Sequence, residues 1–164
     1  MARATRAAGT AAASRRLAMP VVKRLMLARK RRKNLTPVKD LKTPPKGHYD
    51  KRIFIDPKKY PESAKHIRQA QKKGHPRILT KSSNEVKQRK RRNLSLFRVP
   101  LRRGKDRDEY PFASTKEGGL GASVKYLDPS DNTGAGSKLR HGWAGLPQGS
   151  RVWIDTYRRP GDPP

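Results

Sequence analysis

The sequence predicts an α+β domain in which a small antiparallel sheet is flanked by helices, preceded by a disordered basic arm. Three observations lead there. Apolar residues concentrate after Tyr49. Beyond that point, short extended stretches alternate with segments of helical period. Residues 34–48 contain Pro37, Pro44, Pro45 and Gly47, a linker composition. With 32% hydrophobic and 33% charged residues, one core cannot span all 164 residues. The compact part is therefore expected at 49–164, with 1–48 as arm and linker.

Residues 1–18 are mainly Ala, Arg, Ser and Thr, with no acid. They lack the uninterrupted apolar stretch of a secretory signal, while the Arg-rich character also fits a transit peptide. Residues 20–33, PVVKRLMLARKRRK, place Val21, Leu25 and Ala28 at helical spacing. Their length and composition favour a disordered basic tail over a helix. As a helix, the segment would be an arm for DNA, a membrane or a carrier protein.

Residues 52–56 (RIFID) read as a strand, which Pro57 ends. Residues 61–73 read as a helix: Pro61 suits a first turn, Ala64, Ile67 and Ala70 share a face, and Gly74 follows. Residues 77–80 form a second extended piece. Ser82 and Glu85 fit a capping box, so a basic helix is expected over 83–92. Pro111 forbids a regular helix around Tyr110. Residues 122–127 alternate as a strand, 128–132 read as a turn, 135–144 as a helix and 151–156 as a closing strand.

Charge sets the partner class. The chain holds 41 Lys and Arg against 13 Asp and Glu, a formal charge of +28. Residues 1–48 contain 14 basic residues and one acid, and residues 49–164 contain 27 and 12, so both parts are basic. A nucleic acid is the first expected partner and an anionic membrane the second. No apolar run is long enough for a transmembrane helix. Without cysteine there is neither a disulfide nor a thiolate metal site.

Against this field, Asp106, Asp108 and Glu109 stand close together in GKDRDEYPFASTKEGG, residues 104–119. Clustered carboxylates on a polyanion-binding surface make sense if they hold a divalent cation or move a proton. The ordered series DRDEYPFAST, EGG, GASVKY, SDNTGAG, LPQG and RVWI resembles the NucA/NucB family of non-specific deoxyribonucleases. A weaker likeness extends through residues 55–80 to members found as toxin modules. The resemblance covers roughly two thirds of the chain.

The resemblance implies a minimal ββα-metal nuclease site, with a base at a strand end and a ligand on a crossing helix. It makes Asp106 the first candidate for the base or water-orienting group and Asp108 its close rival. Arg107 is expected to clamp phosphate or hold a carboxylate. Glu109, Asn132, Asp131 and Glu117 are the candidate ligands for a divalent metal, Mg²⁺ or Mn²⁺; the alternatives are an acceptor behind the ligands for Glu109, a helix cap for Asp131 and a turn carboxylate for Glu117. Lys87, Arg89, Lys90, Arg91, Arg92 and Lys105 are candidate DNA contacts. His141 is a further candidate nine residues beyond Asn132, although a lone His is more often a surface residue. Trp143, Trp153 and Phe112 read as core anchors.

The expected function is a metal-dependent DNA endonuclease. Its setting would be an antibacterial toxin or effector, delivered without a signal peptide. An acidic immunity protein and a secretion carrier engaged by the basic arm would be its partners. The alternative is a non-catalytic nucleic-acid-binding or ribosomal-type protein, which the net charge and the arm also fit.

Overall fold

A computed structural model describes residues 20–162. The acid-free segment 1–18 lies outside them. The elements are α1 (Val21–Lys33), β1 (Lys51–Phe54), α2 (Pro61–Lys72), β2 (Ile78–Thr80), α3 (Glu85–Leu96), β3 (Asp106–Tyr110), β4 (Ser123–Leu127), α4 (Pro129–Trp143) and β5 (Arg151–Asp155). The class is α+β, as expected.

Two small sheets carry the architecture. β5 lies between β1, its parallel neighbour, and β2, its antiparallel one. β3 and β4 pair separately as an antiparallel ribbon, with Asp106 opposite Leu127 and Tyr110 opposite Ser123. The core gathers Ile53, Ile55, Ile67, Leu79, Val152 and Ile154 with Tyr110, Leu139 and Trp143. Trp153 is buried too, so both tryptophans are core anchors. Phe112 packs on the core and meets Tyr110 edge-on.

Helices α2 and α4 cap one another. Asp131 of α4 accepts from the Glu62 and Ser63 backbone amides at 2.9 Å each, and from Ser63 Oγ. In return Glu62 accepts from the Asp128 amide at 2.6 Å. Each helix thereby lends a carboxylate to the other's unpaired N-terminal donors. Two glycines let α4 approach its neighbours: a Cβ at Gly142 would lie 2.4 Å from Ile53, and one at Gly134 would lie 2.6 Å from the Tyr60 ring.

Several boundaries differ from expectation. α4 begins at Pro129, because Asp128 accepts from the Ser130 amide and Pro at the first helical position needs no donor. The expected turn at 130–132 is therefore helical. α3 is capped by Asn84, whose side chain accepts from the Lys87 amide, while the Ser82 hydroxyl instead receives Arg91.

The arm, expected as a disordered tail, is helical over 21–33 and docked. Arg31 and Arg32 donate to the carbonyls of Leu120, Gly121 and Ala122. Following it, the Val38 amide bonds to Lys72, Arg77 donates to the carbonyls of Leu41 and Thr43, and Leu41 is buried. Tertiary contacts, rather than propensity, hold a helix of this composition. The C-terminal segment is also tied down: Arg52 binds Asp155 and Asp162, and Arg159 binds Asp155.

Candidate active site

Pleating sorts the acidic cluster. Successive strand residues face opposite sides of a sheet. In β3 this sends Asp106, Asp108 and Tyr110 towards α2 and α4, and Arg107 and Glu109 towards α3. The partners follow that division. Asp108 Oδ2 meets His66 Nδ1 of α2 at 2.7 Å, and Asp106 Oδ2 accepts from Asn132 Nδ2 of α4 at 2.9 Å. Glu109 receives Arg92 of α3 on both oxygens, at 2.9 and 3.0 Å. Burial raises the Glu109 carboxyl above its ordinary range, and the Arg92 charge opposes that shift.

A cleft of about 880 Å³ opens between α3 and α4 over the end of this ribbon. Asp108 and Glu109 border its floor with Phe112. Asn132, Gly136 and Arg140 line the α4 wall, while Gln88, Arg89 and Arg92 line the α3 wall. The side chains of Arg89 and Arg140 are exposed and make no hydrogen bond or ion pair among the described residues. They are the cations left available for a phosphate, since Arg92 serves Glu109.

The remaining candidates lie elsewhere. Arg107 donates to the Val99 carbonyl at 2.6 Å, on the far side of the ribbon. Asp131 is buried at the α2 N-terminus with both oxygens engaged. Glu117 holds Thr80 through its amide and hydroxyl. Lys105 lies 3.9 Å from Glu62. His141 is exposed and bonds back to the Ser137 carbonyl of its own helix. Lys87, Lys90 and Arg91 face a second groove rather than this one. These placements divide the expected site into a smaller group at the cleft and a set of structural contacts.

Because Asp131 caps a neighbouring helix, Asp131→Ala should act on stability. Loss of a capping carboxylate costs about 1–2 kcal/mol, a fall in melting temperature of roughly 2–8 °C for a chain of this length. Thermal unfolding followed by circular dichroism checks this. An unchanged melting temperature would remove the capping role.

Sequence reasoning missed His66 and Arg140. His66 is fully buried, and its Nε2 lies 3.0 Å from Ser123 Oγ of β4. Nδ1 of the ring pairs with the Asp108 carboxylate and Nε2 with the serine hydroxyl, which can donate or accept. The ring thus fixes Asp108 from behind. A signal was present: His66 sits between Ser63 and Ala70 on the inward face of α2. Arg140 lies two turns beyond Asn132, a spacing visible once α4 starts at Pro129.

The family model described as Deoxyribonuclease NucA/NucB matches residues 67–154. The chain belongs to the NucA/NucB deoxyribonuclease family. It is 43% identical over 113 residues to the DNA-entry nuclease of Bacillus subtilis (strain 168), covering 69% of this chain and 76% of that protein.

Members of this family generally depend on a divalent cation, and the oxygen donors at and beside the cleft suit one. Asn132 Oδ1 and the adjoining Asp106 carboxylate are hard oxygen donors, and Asp108 has an oxygen with no hydrogen-bond partner among the described residues. No group of three His, Cys, Asp or Glu side chains gathers as a cage among the described residues.

Proposed function

We propose that this NucA/NucB-family chain is a metal-dependent, sequence-tolerant DNA endonuclease working in the α3–α4 cleft. The observation that carries the proposal is Asp108, held from behind by buried His66 and facing a cleft with Arg89 and Arg140 on opposite walls.

In this reading a backbone phosphate enters between Arg89 and Arg140, which neutralise and orient it. Asp108 orients the attacking water and takes its proton. Fixed aim at the water matters for this step, and His66 supplies that aim. Asp106 and Asn132 would hold the divalent ion, which supplies charge neutralisation at the phosphate and the leaving oxygen. Glu109 keeps Arg92 fixed at the floor.

Phosphate contacts alone give no base readout, so cleavage should be sequence-tolerant and fall steeply with salt. Residues 49–164 contain every group given a catalytic role. Use as an antibacterial toxin or effector, with an acidic immunity protein and a carrier engaging residues 1–48, accords with a formal net charge of +28.

Plasmid nicking tests the proposal. Purified protein dialysed against EDTA should leave supercoiled plasmid intact, and added Mg²⁺ or Mn²⁺ should restore nicking. Full activity in excess EDTA would exclude the metal-dependent mechanism, while no cleavage under any metal would favour a binding protein.

A further inference from the structure

The docked arm creates a second groove, on the other side of α3. It is about 370 Å³ and is lined by Leu27 and Arg31 of α1, Lys87, Lys90, Arg91 and Leu94 of α3, and Lys116 with the glycines after it. Five of the lining residues are cations and none is an acid. Arg31 and Arg91 are fixed by bonds to the Leu120 and Ala113 carbonyls. The side chains of Lys87, Lys90 and Lys116 are exposed and make no hydrogen bond or ion pair among the described residues.

Helical spacing relates this groove to the catalytic cleft. Glu85, Gln88, Arg89 and Arg92 face the cleft, whereas Lys87, Lys90, Arg91 and Leu94 face the second groove. At about 100° per residue the two sets point roughly 160° apart. α3 is therefore a ridge between two troughs. Its exposed crest carries Val86, Arg89, Lys90 and Asn93, and its inner side buries Ser95 and Leu96.

We propose that α3 inserts into the major groove of duplex DNA, with one strand in the catalytic cleft and the backbone of the complementary strand in the α1–α3 groove. A helix with its side chains is about 10–12 Å across, and the major groove is about 12 Å wide while the minor groove is about 6 Å. A helix ridge with a phosphate trough on each side matches the first dimension and not the second. The acid-free lining of the outer trough matches a phosphate backbone. Under this arrangement the arm helix is the outer wall that grips the uncut strand, and it distinguishes duplex from single-stranded substrate. The inference rests on the nuclease reading of the cleft, and it specifies the form of the substrate.

The test uses the full chain with Lys87→Gln, Lys90→Gln and Lys116→Gln combined. All three side chains are exposed and unbonded, so folding is preserved, which circular dichroism verifies. Affinity for a duplex of about 20 base pairs and for one of its strands is read by fluorescence anisotropy in EDTA across a salt series. Duplex affinity should fall about tenfold or more, and its log–log salt slope should flatten by about 2–3, the loss of three phosphate contacts. Single-strand affinity should fall by less than about threefold. With Mg²⁺, the KM for duplex cleavage should rise in the same proportion. Equal losses on both substrates, or no loss on either, overturn the proposal. Since anisotropy needs no cleavage, failure of the wild type to cut DNA would count against the catalytic reading alone.

Discussion

Asp108→Asn should lower the cleavage rate by about 10²–10⁴-fold, the range for loss of a general base. Asparagine keeps the size of the side chain and an oxygen for His66 Nδ1, so the melting temperature should barely move. DNA affinity should hold or rise, because a negative charge leaves a basic cleft. Asp106→Asn, measured in parallel, should cost less. Its carboxylate is turned to Asn132 Nδ2 rather than fixed by a buried ring. The assay is single-turnover cleavage of supercoiled plasmid with binding measured separately. A wild-type rate for Asp108→Asn beside a large loss for Asp106→Asn would exchange the two roles.

The second large effect is expected from His66→Ala. Removing the ring leaves Asp108 free to rotate, and loss of aim at a reacting group can cost about 10²-fold. The side chain is fully buried, so a stability loss of roughly 2–3 kcal/mol accompanies the change. Measuring kcat and KM at a temperature where both proteins are folded separates the effects. A positioning role predicts a fall in kcat with KM nearly constant. His66→Asn, whose amide can donate near the Nδ1 position, should recover part of kcat. If folded His66→Ala turns over like wild type, the histidine is a packing residue only.

The two variants also explain why the site was only partly legible. The chain writes Asp106, Arg107, Asp108 and Glu109 consecutively, and read as a string they form one cluster. As a strand they divide between partners, because the pleat turns neighbours to opposite faces, although Asp108 and Glu109 both reach the cleft floor. Asp106 and Asp108 meet α2 and α4, Glu109 meets Arg92, and Arg107 reaches the Val99 carbonyl. The placement of Asp131 has a related cause. Its place next to Asn132 suggested a shared ligand, but adjacent helix positions point about 100° apart. Asp131 faces the α2 N-terminus while Asn132 faces the cleft.

Local chemistry by itself determined the α+β class, most of the elements, the tryptophans as core, the polyanionic partner and the family. Hydrophobic period, proline and glycine positions, net charge and an ordered motif series act over a few residues at a time, or not through space at all. Tertiary structure alone decided which carboxylate is buttressed. His66 and Asp108 lie 42 residues apart and meet only when α2 packs on the ribbon. Packing likewise decided the fate of the arm. VVKRLMLARKRRK contains good helix formers, but a helix of 13 residues is marginal in isolation, and the carbonyls of Leu120, Gly121 and Ala122 accept Arg31 and Arg32 and hold it in place.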